Sequence, residues 1–186
     1  VYNATRLHKW EVVNTEKSEH PKWYKKGLLK GFIDGSLGSH TAAFHNAYSD
    51  KPKDKGIFIN SIKSLHEDAL QADENNLQIT IHAIGDKANS SLLDMYEEII
   101  LKNNVKDRRF RVEHAQHLDK DDIKRFKELD IIASMQPYHA IDDGRWAEEL
   151  IGAERIQTTY AFNSLIKAGT KLAFGSDWPV APASPL

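Results

Sequence analysis

An α/β fold built on a parallel sheet is what this chain predicts, and three observations predict it. Short apolar runs alternate with longer stretches whose apolar residues recur every three or four positions, the pattern of strands joined by crossover helices. Four of the runs carry a Lys, His or Asp at or near their ends. The strand-plus-helix units recur about every 30 residues, the size of one unit of an eightfold βα barrel. Five such units fill the span from Lys30 to Asp177. A complete barrel takes about 250 residues, so 186 residues predict a partial TIM (β/α)8 barrel of about five parallel strands with crossover helices.

Residues 1–27 are polar, broken at His20-Pro21, and read as a connecting or edge segment. Residues 28–186 read as the partial barrel. Leu28 to Ile33 is its first strand, followed by a Gly/Ser-rich loop from Asp34 to Ala42 where backbone can approach a ligand closely. The charged tip Asp50 to Lys55 belongs in solvent, because burying so many unpaired charges is costly. A helix then carries Ile62, Leu65, Ala69 and Ala72 on one face, with Asn60 or Ser61 available as its cap. Leu77 to Ile81 is a strand ending on His82. Asp86 is the expected cap of a helix striped by Ala88, Leu92, Met95 and Ile99. The run from Phe110 ends on His114. Asp119 and Asp122 resemble a capping box for a helix with Ile123, Phe126 and Leu129 inward. Ile131 to Met135 is a strand closed by Gln136-Pro137-Tyr138-His139. Helical pieces at Trp146 to Leu150 and Glu154 to Ala168 lead through Gly169 to the last strand, Leu172 to Phe174, and on to Asp177.

Composition narrows the function. A net charge of −2 with scattered Lys and Arg leaves no footprint for nucleic acid or an anionic membrane surface. The absence of Cys excludes disulfides, a thiol nucleophile and Cys-bound zinc. No apolar run approaches the roughly 20 residues of a membrane span, and a cytoplasmic location is the expectation. Neither Gly-x-Ser-x-Gly nor a phosphate-binding Gly-Lys-Ser/Thr loop is present. Small soluble molecules are the expected partners, and open strand edges could pair copies of the chain into a homo-oligomer.

Parallel strands place their C-terminal ends on one rim, where α/β proteins build sites. His82, His114 and Asp177 there offer the imidazole nitrogens and carboxylate oxygen that zinc and similar ions take. Lys30 repels a cation as an ammonium, but carboxylated on its amine it becomes an anionic ligand able to bridge two metals, which requires a neutral amine favoured by burial. Taken singly, each residue has an ordinary reading: a half-buried hydrogen-bonded His, a turn Asp, a snorkelling Lys. Their recurrence on successive strand ends is what points to a site. A carboxylate pair, Asp34 with Asp177, would suit a barrel glycosidase but leaves both histidines unexplained.

The runs Lys30 to Ser39, His82-Ala83-Ile84-Gly85-Asp86, Arg111 to His117, Ser134-Met135-Gln136-Pro137 and Phe174 to Val180 resemble the amidohydrolase superfamily. Within it they resemble amidohydrolase family 3, the YtcJ-like metal-dependent hydrolases that include N-substituted formamide deformylases. The resemblance implies strands 4 to 8 of the catalytic barrel and hydrolysis of a non-peptide C–N bond of an amide or cyclic amide by metal-activated water. One or two divalent ions, zinc foremost, would be held by Lys30, His82, His114 and Asp177, with Asp177 also catalytic. His139 after the seventh strand, Asp34 and His40 are the substrate-binding candidates. Two departures stand out: His40 occupies a position where the family usually carries Arg, and no His-x-His pair, the family's first-strand motif, exists in the chain. A fragment lacking that pair is also compatible with a non-catalytic piece that oligomerises through its strand edges.

Overall fold

The computed structural model describes residues 2–15, 22–23, 25–105 and 107–185. The break expected at His20-Pro21 lies outside them. The elements in chain order are β1 (Tyr2–Arg6), α1 (Trp10–Thr15), β2 (Lys25–Phe32), α2 (Ile62–Glu74), β3 (Gln78–Ala83), α3 (Asp86–Lys102), β4 (Arg111–His114) and α4 (Asp122–Glu128). They continue with β5 (Ile132–Met135), α5 (Pro137–Asp143), α6 (Ala147–Arg155), α7 (Phe162–Lys167) and β6 (Lys171–Phe174). The strands form one sheet in the order β1-β2-β3-β4-β5-β6, every neighbouring pair parallel. The chain is thus an α/β protein consistent with part of a TIM barrel.

A sixth strand joins the five expected. β1 lies within residues 1–27 and pairs with β2, Arg6 opposite Lys30. Its sequence, Tyr-Asn-Ala-Thr-Arg, contains no apolar run, the signal by which the other strands were read.

The two faces of the sheet differ in chemistry. Toward the helices, Leu29, Ile79, Ile81, Val112 and Ala133 are fully buried and pack with Leu65, Leu92, Tyr96, Phe126 and Leu165 in one core. The other face carries Lys30, Thr80, Arg111, Glu113 and Ser134. There the Thr80 hydroxyl and Arg111 Nε donate to Glu113 Oε1 at 2.6 and 3.0 Å, and Arg111 Nη2 donates to Ser134 at 2.5 Å. A polar layer therefore floors the concave side beneath the rim, and Glu113 belongs to it.

Several helix boundaries differ from expectation. Ser61 caps α2, its Oγ accepting from Ser64 N at 3.4 Å. Gly85, not Asp86, is the cap of α3; Asp86 is the first helical residue and accepts instead from His45 N at 2.8 Å. Asp119 accepts from Asp121 N at 3.0 Å, while Asp122 accepts from Ser90 Oγ and Arg125, so no capping box forms. Pro137 opens a helix rather than closing a strand, since at a first helical position its missing N–H costs nothing. The piece expected from Glu154 to Ala168 breaks after a 3-10 turn at Ile156–Thr158, where Tyr160 has φ 47° and its N–H bonds Gln116 O at 2.7 Å. The charged tip at Asp50 to Lys53 is exposed as expected.

Candidate metal centre

The rim gathers the predicted ligands around one cavity of about 500 Å³, whose wall includes Lys30, His82, His114, His139 and Asp177. Each arrives by a different local device. His82, near the end of β3, lies opposite Glu113 in the β3–β4 register and beside Phe32. Its Nε2 donates to Gly35 O at 2.9 Å and sits 3.5 Å from Asp34 Oδ1. That leaves Nδ1 as its basic nitrogen.

His114 occupies the same strand face as Val112, which packs against helices. A left-handed φ of 77° at His114, followed by 45° at Ala115, breaks the alternation and brings its ring to 4.5 Å from that of His82. Its Nδ1 bonds Gln136 Oε1 at 2.9 Å, while Gln136 Nε2 donates to Ser134 O at 3.3 Å. The amide orientation makes His114 Nδ1 the donor and Nε2 the lone pair. Burial, reinforced by His82, Lys30 and His139, holds this imidazole well below the ordinary histidine range, so it is neutral and able to ligate.

His139 stands in the first turn of α5, its ring stacked 6.2 Å from that of His114. Its Nε2 is buried without a hydrogen-bond partner. Asp177, with φ 55°, follows β6 in an exposed turn closed by Val180 N to Asp177 O at 2.8 Å. One ligand atom from each of His114, His139 and Asp177 lies within 4.8 Å of the other two. Lys30 is half-buried with Nζ 4.9 Å above the Phe32 ring. Burial lowers its amine below the ordinary lysine range, against the opposing fields of Glu113 and Asp177. A neutral amine is the form that carboxylation needs.

Two substrate-binding candidates do not reach this cavity. Asp34 is fully buried, and its oxygens accept from Ile84 N at 3.0 Å, Ala43 N at 2.9 Å and Gly85 N at 2.8 Å. It ties three segments together and has no face for substrate, which also removes it from a glycosidase pair. His40 turns to Asp50 at 2.7 Å and packs on Tyr48. Between them, Ser36, Leu37 and Gly38 line the cavity from the same loop.

Asp143 and Trp146, which also line the wall, carried no signal in the sequence. Burial raises the Asp143 carboxyl above its ordinary range. Its Oδ2 accepts from Tyr160 at 2.5 Å and Gln116 at 2.6 Å. Gln116 at least lies inside the run Glu113 to His117 that carried the resemblance.

The neutral imidazole of His114, a second imidazole nitrogen on His139 buried without a partner, and the Asp177 carboxylate fit a divalent metal. Three protein ligands and a position for water make up a catalytic zinc site. A parallel α/β sheet with such donors at its C-terminal rim defines the class: an α/β protein, consistent with part of a TIM barrel, with a candidate metal centre. The sequence model of the amidohydrolase family (Amidohydro_3) matches residues 3–186, and the chain belongs to that family. It is 46% identical over 166 residues to Protein LONG AFTER FAR-RED 3 of Arabidopsis thaliana, covering 89% of this chain and 28% of that protein. It is 34% identical over 180 residues to the putative amidohydrolase YtcJ of Bacillus subtilis (strain 168), covering 97% and 33%. An uncharacterized metal-dependent hydrolase from Pyrococcus furiosus superposes with a TM-score of 0.81 at 34% identity, covering 95% of this chain and 36% of that one. The chain therefore spans about a third of the length of these relatives.

Proposed function

We propose that the chain supplies six neighbouring strands, β1 to β6, of a barrel that hydrolyses a non-peptide C–N bond, in an amide or cyclic amide, at a divalent metal centre. The observation that carries this reading is the convergence of Lys30, His82, His114, His139 and Asp177 on one cavity at the sheet's C-terminal rim. Similarity to the N-substituted formamide deformylase of Arthrobacter pascens, 26% identical over 163 residues, makes N-substituted formamides the first substrates to test.

The metal, with zinc the first choice, would be held by His114, Asp177, His82 and a carboxylated Lys30, and would supply Lewis acidity toward water and the scissile carbonyl. The protein's own residues do the rest. Asp177, the exposed carboxylate of the set, accepts the proton of the attacking water and passes it to the leaving nitrogen. Gln136 holds the His114 ring in one tautomer, and the Gly35 carbonyl does the same for His82. Leu37, Ile84 and Trp146 give the cavity an apolar wall against which a substrate side chain can exclude water.

The test is turnover of a panel of N-substituted formamides and cyclic amides, with zinc and after chelation, using the full-length protein with its upstream strands. Zinc-dependent release of free amine is the expected result; no turnover of any amide at saturating zinc overturns the reading. A second reading is supported by exposed Ile166, Phe174, Trp178 and Val180 near β6: the chain by itself is a non-catalytic piece that pairs through its open strand edges. Sedimentation of the 186-residue chain separates the two, a concentration-independent monomer counting against edge pairing.

A further inference from the structure

We propose that Asp143 determines substrate specificity by receiving a positively charged nitrogen, so that the amide this cavity takes carries an amine or guanidine beyond its scissile group. The inference rests on the hydrolase reading above and names the substrate class for it.

Asp143 is pinned on the cavity wall with one oxygen engaged and one free. The Tyr160 hydroxyl and Gln116 Nε2 both donate to Oδ2, at 2.5 and 2.6 Å, while Oδ1 has no hydrogen-bond partner among the described residues. Gln116 is itself buried and held by His117 Nε2 at 3.0 Å, so the clamp on Oδ2 is firm and Oδ1 is the oxygen available to a ligand. Burial raises this carboxyl above its ordinary range in spite of both donors, and a cation placed against Oδ1 offsets that burial.

The surroundings favour a cation over an uncharged donor. Tyr138 and Trp146 put aromatic rings on the same wall, and the Trp146 N–H donates to Asp143 O at 3.0 Å, tying the ring's backbone to that of the carboxylate. A carboxylate beside aromatic rings is the chemistry that binds ammonium and guanidinium groups. Histidines apart, Lys30 is the one basic side chain among the described residues of the wall, and in the hydrolase reading it serves the metal rather than Asp143. Asp142 adds to the negative field but is exposed, with Arg145 at 3.8 Å. Spacing then limits the substrate. His139, whose ligand atom lies within 4.8 Å of those of His114 and Asp177, marks the reacting end. Asp143 follows it on the same face of α5 one turn later. That is about 6 Å along the helix axis, a reach of about five single bonds from carbonyl carbon to charged nitrogen.

The test compares three formamides at neutral pH: N-(ω-aminopropyl)formamide, which ends in an ammonium; N-butylformamide, its uncharged isostere; and N-formyl-β-alanine, which ends in a carboxylate. Binding to the chelated full-length protein is measured by ligand-observed NMR titration, so that docking is read without turnover. One charge-assisted hydrogen bond should make the ammonium compound bind about 10- to 100-fold tighter than the isostere, with the carboxylate compound weakest. In Asp143→Asn, which keeps an acceptor for Tyr160, that ratio should fall to about one; Asp143→Ser stands in should the asparagine variant fail to fold by circular dichroism. No binding of the ammonium compound, a ratio within about twofold of one in the unsubstituted protein, or a preference that survives in a folded variant overturns the assignment. Turnover with zinc separates this from the hydrolase reading. Equal kcat/KM for the ammonium compound and its isostere keeps the hydrolase and discards the role of Asp143, whereas selective binding without release of amine does the reverse.

Discussion

Asp177 and His117 play different parts near the rim, one facing the cavity and one buried beneath it. Asp177 is exposed and reaches the cavity, so Asp177→Asn keeps the shape and removes the proton acceptor. At saturating zinc, kcat should fall by about 10² to 10⁴-fold while zinc still binds, measured as amide turnover beside metal content. His117 is fully buried, with Nε2 accepting from Gln116 and Nδ1 donating to Thr159 at 2.8 Å. Burial pushes its pKa down from 6.5 to about 3. An unfolded chain takes up this proton below about 6.5 and the folded one does not, so the stabilisation is full above that value and declines as pH falls toward 3. At pH 5 the loss from this group alone is about 2 kcal/mol. Urea unfolding at pH 7.5 and 5 should show it, and His117→Asn should shrink the difference by about that amount; the neutral, buried His114 acts in the same direction.

At the scale of elements, the rim is assembled by loops tied to one another rather than by strands alone. Asp34 receives N–H groups from the loop after β2 and from the β3–α3 turn, and Gly85 lies so close that a Cβ there would stand 2.1 Å from Ala43 O. Asp34→Ala strands three buried N–H groups at about 1–3 kcal/mol each. It should therefore cost more than about 3 kcal/mol by chemical denaturation, and Asp34→Asn, which keeps one carbonyl acceptor, distinctly less. These ties mark where the sequence was legible and where it was not. Strands β2 to β6 announced themselves because their helix-facing residues are apolar, and the chemistry at their ends was visible as isolated polar side chains. Asp34 and His40 belonged to the same motif-bearing loop as cavity residues, yet composition cannot say which side chain of a loop turns inward. β1 escaped notice because Tyr-Asn-Ala-Thr-Arg contains no apolar run, and the ring of His139 was placed by a helix that begins at Pro137 where a strand end was expected.

Across the whole molecule, the candidate ligands Lys30, His82, His114 and Asp177 come from β2, β3, β4 and the turn after β6. An ion that they hold cross-links these elements, and a ligand at 100 times its Kd stabilises the folded state by about 2.7 kcal/mol. Zinc should therefore raise the thermal midpoint by several degrees and a chelator reverse it, whereas magnesium, which prefers oxygen ligands, should shift it much less. Scanning calorimetry checks both. Among the described residues no helix is long and apolar enough to cross a membrane.

The contact between His82 and the Gly35 carbonyl also has a consequence for heredity. Because a main-chain oxygen selects the imidazole tautomer, no side-chain replacement at residue 35 can delete the acceptor directly; only a shift of the peptide can. Adding a Cβ at Gly35 brings it 2.0 Å from Thr41 Oγ1, so even the smallest missense change there would push that peptide aside. A silent-looking Gly-to-Ala variant would thus act as a lesion in the chemistry of a histidine 47 positions away.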